Sequence, residues 1–132
     1  MQKNNMFAAL ILVSMASVTP VAHAFGVSHH GGIILDCTPP LFFDESPAKE
    51  ARVQAVSQFS FVASDNTDAE TLKVWANNQP VPFEVKTLRS GRLAVTGKLP
   101  EAVTEGKVWF KVTGISTDGC DQLHNWTAYV GD

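Results

Sequence analysis

Read alone, the chain points to an all-β domain built as a two-layer sandwich, and three observations carry that expectation. Short apolar runs alternate with turn residues roughly every 8 to 15 positions, the rhythm of consecutive strands. No stretch sustains the periodicity of a long amphipathic helix. Two cysteines, Cys37 and Cys120, lie near opposite ends of the chain beyond an export leader, which suits a small domain in an oxidising compartment.

The leader is read over residues 1–24. Lys3 supplies a positive start, Met6 to Val18 is mostly apolar, and Ala22-His23-Ala24 is a small-x-small cleavage site. Cleavage after Ala24 makes Phe25 the first mature residue. A cut after Ala22 would instead expose His23, whose amine and imidazole together chelate copper, but Pro20 at the third position before that cut argues against it. A membrane anchor needs about 20 apolar residues, and this run is interrupted by Ser14, Ser17, Thr19 and Pro20. The expected organisation is a signal peptide, 1–24, and one domain, 25–132, with no membrane span in the mature chain. Its expected location is periplasmic or secreted.

The elements are expected in this order. Ile33 to Leu35 is a candidate short edge strand, broken by Thr38-Pro39-Pro40 because proline donates no ladder hydrogen bond. Glu45 to Arg52 is expected as a loop or short helical turn. In Val56 to Ala63, alternation sets Phe59, Phe61 and Ala63 on one face and Ser60 with Val62 on the other. Thr71 to Ala76 is a strand that turns at Asn77-Asn78, and Val81 to Leu88 returns, with Pro82 marking an edge. Ser90-Gly91 leads into Arg92 to Thr96, Lys98 to Gly106 is expected as a connecting loop, Lys107 to Ile115 is the longest strand, and Asn125 to Val130 closes the domain. About seven short strands bury their apolar faces most naturally in a sandwich, of which the immunoglobulin-like Greek key is the commonest form. A small closed barrel is the alternative.

Composition excludes several functions. Without the leader, nine lysines and arginines face 13 acidic residues, and no basic run offers a nucleic acid a footprint. No nucleophile elbow or phosphate-binding glycine loop occurs, so the chain is read as a non-enzyme.

Chemistry gathers near the cysteines. If Cys37 and Cys120 pair, they close a loop of roughly 80 residues and draw together two polar segments. His29 and His30 precede the first segment, and Asp118, Asp121 and His124 surround the second. His29, His30, Asp118 and His124 are therefore candidate ligands, because imidazoles with carboxylates suit Cu(II) or Zn(II). If the thiols were reduced, Cys37, Cys120 and two histidines would instead suit tetrahedral zinc. Asp65-Asn66-Thr67-Asp68 offers hard oxygens to calcium, but lacks the glycine-containing twelve-residue loop, and such residues commonly form turns by bonding their own backbone. Period two also places Trp75 with Lys73, and Trp109 with Lys107 and Lys111, opposite the aliphatic faces of their strands. An exposed aromatic stripe there would take a protein or glycan partner; otherwise lysine stems cover partly buried rings. Trp126, in step with Ala128 and Val130, is expected in the core. Asn125-Trp126-Thr127 is a glycosylation triplet, awkwardly placed in a strand.

Glu45-Ser46-Pro47-Ala48, continuing through Ala51 and Val53 to Phe59-Ser60-Phe61, resembles the opening of the periplasmic copper-resistance proteins of the CopC type. The ending is similar too: Val112 to Thr117, Asp118-Gly119, then Trp126 to Val130. The resemblance implies a copper-binding immunoglobulin-like sandwich in which Asp118 matches a ligand aspartate. Cys120 stands where the family has a histidine, and Phe25 where its terminal histidine would be. The Ser-Pro-Ala opening also resembles bacterial immunoglobulin-like modules that hold no metal. The expected function is thus binding or carriage of a divalent metal, copper above all, with a structural or adhesion module using Trp75 and Trp109 as the alternative.

Overall fold

The computed structural model describes residues 36–132, and the leader, His29, His30 and the Ile33–Leu35 run lie outside them. Among the described residues, nine strands make two sheets. One has the order β1 (Phe42–Ser46), β3 (Val56–Ala63), β7 (Leu93–Val103), β6 (Phe83–Thr87) and is antiparallel throughout. The other has the order β2 (Arg52–Val53), β9 (Asp121–Val130), β8 (Gly106–Ile115), β4 (Lys73–Ala76), β5 (Gln79–Pro80), with only the β2–β9 pair parallel. This is the expected sandwich.

Alternation builds the core. From one sheet come Phe42, Phe59, Phe61, Ala63, Leu93 and Val95; from the other, Val74, Ala76, Val108, Phe110, Val112, Trp126 and Val130. Trp126 is the hub. Its ring stacks on Phe110 with centroids 4.8 Å apart, and Phe61 meets it edge-on at 6.0 Å, arrangements worth about 0.5–1.5 kcal/mol each beyond area burial. Its indole N–H donates to the Pro47 carbonyl at 3.0 Å, which satisfies a buried donor and ties the turn after β1 to the core.

Several elements depart from the expected ones for identifiable reasons. Glu45 and Ser46 belong to β1, and the chain turns at a cis Ser46–Pro47 peptide before β2. Thr71 ends a 3₁₀ turn, Ala69–Thr71, capped by Asp68, so the strand begins at Lys73. The expected single strand Val81 to Leu88 belongs to neither sheet as a whole: the chain leaves β5 in one sheet and enters β6 in the other, and Val81 and Pro82 make the crossing. The expected Lys98–Gly106 loop is mostly strand, because β7 runs on to Val103. Pro100 is tolerated there because the β3–β7 register is interrupted between Gln58↔Lys98 and Val56↔Val103, leaving a bulge where its missing N–H breaks no ladder bond. The Asn77-Asn78 turn is as expected, with φ of 46° and 64°, the left-handed pair of a tight hairpin.

Close packing makes one glycine indispensable. A Cβ at Gly97 would overlap the Phe59 ring and lie 2.7 Å from the Pro82 carbonyl oxygen. Gly97→Ala is expected to lower stability by about 1–3 kcal/mol, the usual cost of overpacking, read as a lower urea midpoint at unchanged slope.

Candidate metal centre

The polar end is a junction of three segments. Cys37 lies in the irregular stretch before β1 and Cys120 in the β8–β9 turn; they form a disulfide with Cα atoms 5.7 Å apart. The Thr38 N–H donates to Asp118 Oδ2 at 3.1 Å, joining the same two segments a second time. From the third segment, Asn66 Nδ2 donates to the carbonyls of Thr38 at 3.0 Å and Pro39 at 3.4 Å. The Leu41 N–H donates to Ser64 Oγ at 2.8 Å, and the Thr117 N–H to the Asn66 carbonyl at 2.8 Å. The Asp65–Asp68 stretch is thus a turn whose Asn66 clamps the segment before β1.

Asp118 is the acidic group this junction shapes. Its turn is closed by Ser116 N–H to Cys120 carbonyl at 2.7 Å and Gly119 N–H to Ser116 carbonyl at 2.9 Å, with Gly119 at φ +100°, a conformation that favours glycine. Ser116 Oγ donates to Asp118 Oδ1. That bond first, and the Thr38 N–H second, hold its carboxyl below the ordinary aspartate value against slight desolvation. Asp118 is exposed, so an oriented, ionised carboxylate faces solvent beside the disulfide.

His124 lies elsewhere. It pairs with Val112 in a register where Asp121 pairs with Ile115, so about 10 Å of strand separates it from the end of the turn. Sharing the inner face of β9 with Trp126 and Ala128, it turns inward at the mouth of the sandwich. There Nε2 hydrogen-bonds Glu45 Oε1 at 2.5 Å, and the ring packs against Phe42 and Trp126 at centroid distances of 6.2 and 5.8 Å. Sequence reading singled out Glu45 only as part of the Glu-Ser-Pro-Ala opening; a partnership across 79 residues has no local signal. Among the described residues, no three His, Cys, Asp or Glu side chains converge as metal ligands.

Trp75 and Trp109 lie on the outer face of the five-stranded sheet, both half-buried. Trp75 sits opposite Lys111, and Trp109 is the diagonal neighbour. Lys111 Nζ rests 4.3 Å from the Trp75 ring centroid, a cation–π contact. No helix among the described residues is long and apolar enough to cross a membrane.

The chain is similar to CopC from Methylosinus trichosporium OB3b, with a TM-score of 0.55 and 17% identity over 69% of this chain and 92% of that one. It is also similar to PcoC, a methionine-rich copper resistance protein from Escherichia coli, with a TM-score of 0.52 and 18% identity over 70% of this chain and 99% of that one. At these identities the likeness is one of fold, and it bears out the CopC-type resemblance. No family model and no curated protein matches the chain.

Two outcomes test this junction. Replacing both cysteines by serine is expected to cost about 4–5 kcal/mol in the chain-entropy account of a long loop, measured by urea unfolding. The depressed Asp118 carboxyl contributes stability that is complete above the unfolded aspartate value of about 3.9 and is lost as pH falls through its lower folded value. Asp118→Asn should therefore flatten the acid limb of the stability–pH curve. Equal acid sensitivity in both proteins would contradict the assignment.

Proposed function

We propose that the protein is an exported carrier of a divalent metal, copper in the first place, held reversibly at the disulfide-closed end of the sandwich. The observation that carries the reading is the double tie of Cys37 to Cys120 and Thr38 to Asp118. It anchors the chain just after His29 and His30 beside an exposed carboxylate kept ionised by its hydrogen bonds. His30 precedes Cys37 by seven residues, a tether whose reach of up to about 25 Å covers Asp118. Two imidazoles and a carboxylate are a donor set suited to Cu(II). One fold neighbour is a copper resistance protein, which supports the choice of metal.

In this reading the metal is cargo, taken up and released without turnover. His124 is a structural residue engaged by Glu45 rather than a fourth ligand. Export rests on the leader, 1–24, with 25–132 as the mature domain, and the disulfide agrees with an oxidising periplasmic or extracellular location.

Calorimetric titration of the protein beginning at Phe25 tests this directly. Cu(II) is expected to bind more tightly than about 10 μM. His29→Ala, His30→Ala and Asp118→Asn should each weaken it, and His124→Ala should leave it unchanged. Binding weaker than that in the unsubstituted protein overturns the proposal.

A further inference from the structure

The outer face of the five-stranded sheet combines basic residues with exposed apolar ones. Its cross-strand rows are Asp121–Ile115, then Leu123–Thr113–Lys73, then Asn125–Lys111–Trp75–Pro80, then Thr127–Trp109, then Lys107–Tyr129–Arg52. Four of the nine basic residues in 36–132 lie on it, with one of the 13 acidic residues, in a chain whose overall charge is negative. It also carries Leu123 at 56% exposure, Ile115 at 41% and Tyr129 at 40%. At the Leu123 end a shallow depression is lined by Thr71, Lys73, Thr113, Ile115 and Leu123, with Asp121 at its margin as the one acidic group. Along the strands the rows span roughly 26 Å, room for an extended segment of about eight residues.

We propose that this face docks an acidic polypeptide segment carrying aliphatic side chains, independently of the metal end. Lys73, Lys107, Lys111 and Arg52 supply the complementary charge, which steers encounter and fixes register. Leu123 and Ile115 supply the apolar contact beside them. The same geometry disfavours other occupants. Stacking of sugar rings needs open aromatic faces, but Lys111 Nζ lies over the Trp75 ring, Arg52 lies 5.8 Å from the Tyr129 ring centroid, and Trp109 is half-buried. Insertion into an anionic bilayer would drive Asp121, paired with Ile115, into the lipid with the aliphatic pair. Two copies of the face would oppose like charges.

A fluorescein-labelled octapeptide of Asp-Asp-Leu-Leu repeats, which when extended presents both side chains on each face, tests the proposal by anisotropy on metal-free protein. Saturable binding is expected, weakened at least tenfold by Lys73→Glu with Lys111→Glu, weakened also by Leu123→Ser, and unchanged by His29→Ala with His30→Ala. Far-UV dichroism checks that each variant folds. Amide shift mapping on the unsubstituted protein needs no variant at all, and the changes should fall in Lys73–Ala76, Gly106–Ile115 and Asp121–Val130. Absence of saturable binding, shifts confined to the other sheet, or tighter binding to heparin or to phosphatidylglycerol vesicles would each overturn it. Metal titration uses other residues, so failure here leaves the carrier reading standing, and the converse holds.

Discussion

The ten-residue β8–β9 ladder is the constraint on which most of this molecule depends. Gly106 pairs with Val130 and Ile115 with Asp121, without a slip between them. Because side chains alternate, that register sorts every residue of both strands to one side. Val108, Phe110, Val112, Trp126, Ala128 and Val130 go inward. Lys107, Trp109, Lys111, Leu123 and Tyr129 go outward. A slip of one residue would bury the lysines and expose Trp126.

The same ladder determines where the polar groups at this end of the molecule lie. Its closed end is the turn that holds Asp118, Gly119 and Cys120, so the disulfide and the oriented carboxylate sit at one tip of the sandwich. His124 is only four positions after Cys120, yet parity turns it into the mouth of the core, where Glu45 and two aromatic rings receive it. Closeness in sequence is not closeness in space here: Asp118 meets Thr38, 80 residues away, while His124 meets Glu45, 79 residues away.

Rigidity at that tip comes from redundancy. Among the described residues, 36–41 have no strand partner, and Thr38, Pro39 and Leu41 are hydrogen-bonded by Asp118, Asn66 and Ser64 instead. Among the described residues no buried side-chain nitrogen or oxygen lacks a partner, as native packing requires. The aromatic hub, through the Trp126 bond to Pro47, secures the other side of β1.

Alternation along β3, β4, β8 and β9 made the sandwich, its core face and the outward tryptophans legible from the residues alone, because period two is a local property of the backbone. The Asn77-Asn78 turn and the pairing of two lone cysteines were legible for similarly local or chemical reasons. What only the tertiary structure decided are the relations between distant segments: the Asn66 clamp, the Glu45–His124 pair, the strand beyond Pro100 and the crossing at Val81-Pro82. Each depends on which strand lies beside which, and register between segments tens of residues apart leaves no trace in either one.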